Sequence, residues 1–155
     1  MKLLLDAMCG GVRAYLRVCG HDAAYALDRG VEADDAIAAL ARDEDRVVVT
    51  RDRDLAGATE SVLLREREPV DQLRELAAAG VPLEPTDELE RCGRCNGVLD
   101  RVDETGATPA YAPDPGDERV WRCRDCGQCF WKGGHHERMV ETLAAVCENE
   151  TADGT

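Results

Sequence analysis

Residues 46–54 read RVVVTRDRD: three valines and a threonine run into two aspartates interleaved with arginines. The β-branched run is the strongest strand signal in the chain. Either Asp52 caps a following turn or helix, as aspartate commonly does, or Asp52 and Asp54 hold a metal ion at the end of a strand. The segments on either side bear on both the fold and the choice.

Upstream, residues 3–5 (LLL) read as a strand, and Val12, Tyr15, Leu16 and Cys19 recur at helical spacing before Gly20. Residues 23–27 give a second strand. Asp34 or Asp35 can cap a helix that carries Ile37, Leu40 and Ala41 on one face. Downstream, residues 62–64 make a short strand, and Pro69 opens a helix with Val70, Leu73 and Leu76 aligned, closed by Gly80. Strands alternating with helices predict an α/β fold: a parallel sheet flanked by helices on both faces.

In such a sheet the residues after each strand gather at the carboxyl edge, where ligand crevices form. Asp6, Asp34, Asp35, Asp52 and Asp54 all fall there. Taken singly, each acid reads as a cap. Taken together, they repel unless protonated or neutralised by a cation, and an oxygen-rich set of this kind suits magnesium or manganese. A metal so held can polarise a phosphodiester and lower the pKa of a water for in-line attack. Other uses of the fold lack their equipment: no glycine-rich phosphate loop follows the first strand, and the only lysine before residue 85 is Lys2, where a phospho-acceptor receiver needs one after a late strand.

At 155 residues and 16.9 kDa, the chain can bury one core and carry a small satellite module. Its 32 acids against 19 basic residues give a net charge of -13, which opposes holding nucleic acid by bulk electrostatics. Lys2 and Lys132 are the only lysines. This arginine-for-lysine bias, with surplus carboxylates, resembles proteins of salt-loving archaea. At molar salt the Debye length shrinks to about 3 Å, so the global charge repels RNA far less.

The linker VPLEPTDELE (81–90) divides the chain into an α/β domain, 1–84, and a cysteine-rich module with a closing helix, 85–148; residues 149–155 read as a disordered tail. The module holds Cys92 with Cys95 and Cys123 with Cys126, 27 residues between the pairs. Two such knuckles can close a tetrathiolate zinc site, and the proline-rich loop 107–118 absorbs the long spacer. Asn96 and Gly127 suit the left-handed turn after each knuckle. Redox dithiols are the competing reading, supported only by Cys129 in CRDCGQC. Cys9 and Cys19 read as packed thiols. Tyr111, Trp121, Phe130 and Trp131 either stack RNA bases or form the module's core.

The opening MKLLLDAMCGG is too short in apolar residues for a signal peptide, and no run approaches the roughly 18 residues of a membrane span. The expected compartment is cytoplasmic and reducing, where eight cysteines point to metal before disulfides.

With these residues in hand, LLLDAMCGGVRAYLRVCGHD, DDAIAALA, VVVTRDRDLA, DQLRELAAAG, RCGRCNGVL and FWKGGHHERM resemble, in order, the Mut-seven C-terminal RNase family. The resemblance implies a PIN-like (Rossmann-like) ribonuclease domain followed by a zinc ribbon. It implies that Asp6, Asp35 and Asp52 are metal-site acids with Asp54 or Asp34 as an outer member, that Arg13, Arg17 and Arg51 are basic positions beside them that bind RNA, and that Gln72 is a polar one. Cys129 and Gly134 depart from the family pattern. His135 and His136 either contact phosphate or support the ribbon. Residues 119–138 hold five basic side chains against Asp125 and Glu137, a local excess that favours RNA there. The expectation is a ribonuclease that uses magnesium or manganese for catalysis and structural zinc in a ribbon that seats RNA. The alternative is a non-catalytic RNA- or protein-binding adaptor whose acids are merely caps. Homo-oligomerisation is left open.

Overall fold

The computed structural model describes the backbone of residues 1–153 and the side chains of residues 1–148. Four parallel strands, β1 (Lys2–Leu5), β2 (Asp22–Tyr25), β3 (Val47–Thr50) and β4 (Ser61–Leu63), pair in the order β2-β1-β3-β4. Leu3, Leu4 and Leu5 face Val47, Val48 and Val49 across the β1/β3 seam. The strands alternate sides. Leu3, Leu5 and Val49 enter one core with Val12, Leu16, Leu73 and Leu76, while Leu4 and Val48 enter the other with Ile37, Ala41 and Leu55. Helices α1 (Arg13–Val18) and α4 (Pro69–Ala78) therefore cover one face, and α2 (Asp34–Glu44) and α3 (Arg53–Ala58) the other.

The expected elements are present with local shifts, β4 beginning and ending one residue earlier than expected. The turn after β1 is a 3-10 helix over Ala7–Val12, capped by Asp6, before α1 begins. Gly10 and Gly11 disfavour an α-helix there, and a Cβ on Gly10 would lie 2.7 Å from the Tyr25 ring. Residues 26 and 27, expected within the second strand, lie in a 3-10 turn, Ala26–Arg29, closed by Gly30 at φ 70.

The cysteine-rich module is a three-stranded antiparallel sheet, β5 (Leu99–Arg101), β6 (Trp121–Cys123) and β7 (Cys129–Phe130). Its core holds Leu89, Leu99, Trp121 and Phe130 with Cys92 and Cys123. Trp121 and Phe130 therefore serve packing, whereas Tyr111 is exposed and its ring sits 6.2 Å from that of Trp131.

Edge strand β2 is where the module attaches. An unpaired strand edge needs partners, and Asn96 supplies one: its Oδ1 accepts from Ala23 N at 2.9 Å and its Nδ2 donates to Asp22 Oδ1 at 2.6 Å. Arg91 adds an ion pair to Asp22 at 3.6 Å. Asn96 can reach because its backbone turns left-handed, φ 72, as does Gly127 at φ 78. The last helix, α5 (Gly134–Asp153), follows the module in sequence but packs on α4, lending Leu143 and Val146 to the core of the first sheet. Its backbone runs into the stretch expected as a tail; residues 154–155 and the side chains of 149–155 lie outside the described residues.

Candidate active site and metal centre

Between β1 and β3 the strand order reverses, one neighbour having its crossover to each side. That switch point is where a crevice opens beyond the strand ends, and Asp6 and Asp52 follow these two strands. Thr50, fully buried, ties them together. Its hydroxyl donates to Asp6 Oδ2 at 2.7 Å and accepts from Asp52 N at 3.0 Å. The other Asp6 oxygen accepts from Ala7 N at 2.6 Å. Asp52 Oδ1 caps α3, accepting from Asp54 N at 2.8 Å and Leu55 N at 3.3 Å.

The electrostatics separate the acids. Backbone N–H donors from Leu55 and Asp54 hold the Asp52 carboxyl below its usual value. Desolvation, a hydrogen bond to Asp52, and the charges of Asp52, Asp6 and Asp54 push Asp34 up. Asp34, placed at the rim by the sequence, is thus the α2 acid whose carboxyl Asp52 perturbs. Asp35 is exposed and accepts from Ala36 N; Asp54 is exposed. Among the described residues these carboxylates do not close to mutual ligand distance as the cysteines do; such repulsion is what a cation would relieve.

The arginines divide likewise. Arg51 is half-buried, with its Nε lacking a hydrogen-bond partner, and with Arg53 and Arg65 it lines a 290 Å³ hollow. Arg13 lies over the Tyr25 ring at 5.0 Å and donates to Gly10 O, while Tyr25 Oη donates to Ala7 O at 2.8 Å. Arg17, expected to meet RNA, is only 1% exposed. It donates to Ala23 O from Nε and Nη2, at 3.1 and 2.9 Å, and to Gly93 O from Nη1 at 2.9 Å. Its guanidinium therefore bolts the module to the sheet. Gln72 is buried as well, donating to Glu66 O. His135 is exposed on the first turn of α5.

In the module, the sulfurs of Cys92 and Cys126 are 3.7 Å apart, those of Cys95 and Cys123 3.5 Å, and all four lie within 4.8 Å of one another. Zinc–sulfur bonds of about 2.3 Å in a tetrahedron place sulfurs about 3.8 Å apart, so the quartet fits that ion. Backbone donors add support: Cys95 N points at Cys92 Sγ, and Asp125 N and Cys126 N at Cys123 Sγ. Burial pushes Cys92 up to about 12. At Cys123 burial acts the same way, but the N–H groups of Cys126 and Asp125 outweigh it and bring the thiol down to about 7. A divalent cation is what allows all four to ionise together. Cys129, although buried, is not in the quartet. Cys9 and Cys19 are buried thiols, pushed up to about 12 chiefly by desolvation. No helix among the described residues is long and apolar enough to cross a membrane.

Sequence reasoning missed two residues here. Thr50 lay within the decisive strand, and a strand-terminal threonine two residues before Asp52 was the available signal. Asn96 was read only as a turn former.

The family model described as the Mut7-C RNAse domain matches residues 1–143, and the chain belongs to that family. No match was found among curated proteins or among solved structures.

Proposed function

We propose that this member of the Mut7-C RNAse domain family is a divalent-metal-dependent ribonuclease whose α/β domain is PIN-like and whose tetrathiolate module is a zinc ribbon that helps seat RNA. The carrying observation is the pair of strand-end acids, Asp6 and Asp52, held by one buried hydroxyl at the switch point of the sheet. Asp6 and Asp52, with Asp34 and Asp35 from α2, hold magnesium or manganese, and Asp54 flanks them. When bound, that ion supplies positive charge to polarise the phosphodiester and acidify the attacking water.

The chain's own groups do the positioning. Thr50 fixes the Asp6 carboxylate and the Asp52 backbone N–H. Arg51, with an unpartnered Nε beside Arg53 and Arg65, receives phosphate, and Arg13 stands at the rim on Tyr25. Arg17 serves by holding the ribbon against β2, and His135 lies on the ribbon side of the RNA path. An adaptor that used its acids only as caps would need the Asp52 bonds to Asp54 N and Leu55 N, but not a second acid, Asp34, whose carboxyl is raised in part by Asp52.

The test is RNA cleavage by desalted protein in high potassium chloride, with manganese added or withheld; a strong chelator is avoided because it would also strip zinc. Cleavage that appears only with manganese is expected. RNA binding without cleavage under either manganese or magnesium would replace this reading with the adaptor.

A further inference from the structure

A 340 Å³ hollow lies where α1, the cysteine knuckle and the start of α5 meet. Its walls are mostly apolar, with Phe130, Trp131 and Met139 among them, and Arg91, Arg94 and Gln128 also line it. No acid is among its lining residues, in a chain of net charge -13. A second hollow of 240 Å³ shares Gln128, Phe130, Trp131 and His135 with the first. Trp131 thus lines both recesses, with the Tyr111 ring 6.2 Å away. Arg94 makes a hydrogen bond of 3.3 Å to Gln128 Oε1, and no acid pairs with it among the described ion pairs.

An apolar, aromatic-walled recess with arginines in its lining excludes most ligands. Free phosphate has no use for the aromatic walls, and an apolar peptide none for the arginines. A nucleotide uses both, its base against the ring and its phosphate on the guanidinium. A base paired in a duplex cannot enter, because its faces are stacked and its edges occupied. The acidic surface removes bulk attraction, so affinity has to come from contacts made at this range.

Resting on the ribonuclease reading, we propose that the two recesses lined by Trp131 bind successive unpaired nucleobases, with Arg94 at a phosphate, so that the substrate class is single-stranded RNA or a single-stranded extension.

The test measures binding without added manganese or magnesium, so it is independent of cleavage. The probes are a labelled single-stranded RNA of about eight nucleotides, the same strand in a duplex, and versions with one abasic position. Wild type is expected to bind the single strand at least tenfold tighter than the duplex. Trp131→Leu and Arg94→Gln should each weaken single-strand binding about tenfold. The abasic probe should weaken binding to wild type at some position but cost Trp131→Leu far less. Zinc content and melting temperature qualify each variant, and Arg94→Gln carries the test if Trp131→Leu does not fold. Equal affinity for single strand and duplex, or wild-type affinity in folded variants, would overturn the proposal. Binding that follows this pattern in a protein that never cleaves RNA would leave the recesses standing and remove the ribonuclease instead.

Discussion

The Thr50 hydroxyl donates to Asp6 Oδ2 at 2.7 Å, so the last residue of β3 fixes the acid that ends β1. The same oxygen accepts from Asp52 N at 3.0 Å. Thr50→Val keeps the shape but leaves Asp6 Oδ2 and Asp52 N without that partner. The unmade bonds should cost about 1–3 kcal/mol, and cleavage should fall well beyond what lost folding explains. Thr50→Ser should restore most of both. Thermal melts beside cleavage rates check this, and a Thr50→Val protein with wild-type cleavage would contradict it.

Asp34 and Asp35 should differ. Neighbouring acids raise the Asp34 carboxyl, so the folded state holds its proton more tightly than the unfolded chain does. That contribution is harmless below the unfolded carboxylate value of about 3.9 and becomes destabilising as pH rises above it. Asp34→Asn should therefore raise the metal-free melting temperature at neutral pH and diminish the rise that manganese produces. Asp35→Asn should leave the metal-free melt level. Identical behaviour of the two variants would break the distinction.

Much of this site was legible in the sequence, because strand-end placement follows from alternation alone. Continuous runs of leucine and valine marked β1 and β3, and their following acids had to share the carboxyl edge. Which of two adjacent helix-start acids approaches Asp52 was not legible: successive residues diverge by about 100° around a helix, and the rotation of α2 is set by Ile37 and Ala41 in the core. Arg17 misled for a related reason. The resemblance marks it as a basic position beside the acids, and the carbonyls of Ala23 and Gly93 that converge on it are brought there by the fold. The docking of α5 on α4 depends on a long-range return of the chain that no local pattern announces.

Arg17→Met should test that bolt. The apolar stem is kept, but the bonds to Ala23 O and Gly93 O are lost. A cost of about 2–4 kcal/mol is expected, since these donors are charged and the carbonyls would stay buried. Hydrogen exchange at Ala23 and Asn96 should accelerate, while zinc content stays at one per chain. Unchanged exchange would contradict the role.

Metal analysis separates the cysteines. Cys92→Ser or Cys123→Ser should lose zinc and unfold the module, because thiolate–zinc binding supplies much of the folding free energy of such small units. Cys129→Ser should retain one zinc per chain, as Cys129 stands outside the quartet. A zinc-free wild type would refute this assignment.

His21 predicts a pH effect. It is buried, with Nε2 2.6 Å from Pro82 O, and burial lowers its pKa. The unfolded chain therefore takes up the proton first. The contribution to stability is complete above about pH 6.5 and is lost as pH falls below it. The melting temperature should drop from pH 7 to pH 5 more steeply in wild type than in His21→Gln; parallel curves would contradict this.

The most direct measurement is a paired melt and cleavage assay on Asp52→Asn. Asparagine caps a helix about as well as aspartate, so the bonds to Asp54 N and Leu55 N can be kept while the charge that holds a divalent ion is removed. The metal-free melting temperature should stay close to that of wild type, and manganese-dependent RNA cleavage should fall by several orders of magnitude. Full cleavage by the purified variant would show that Asp52 is a cap and nothing more.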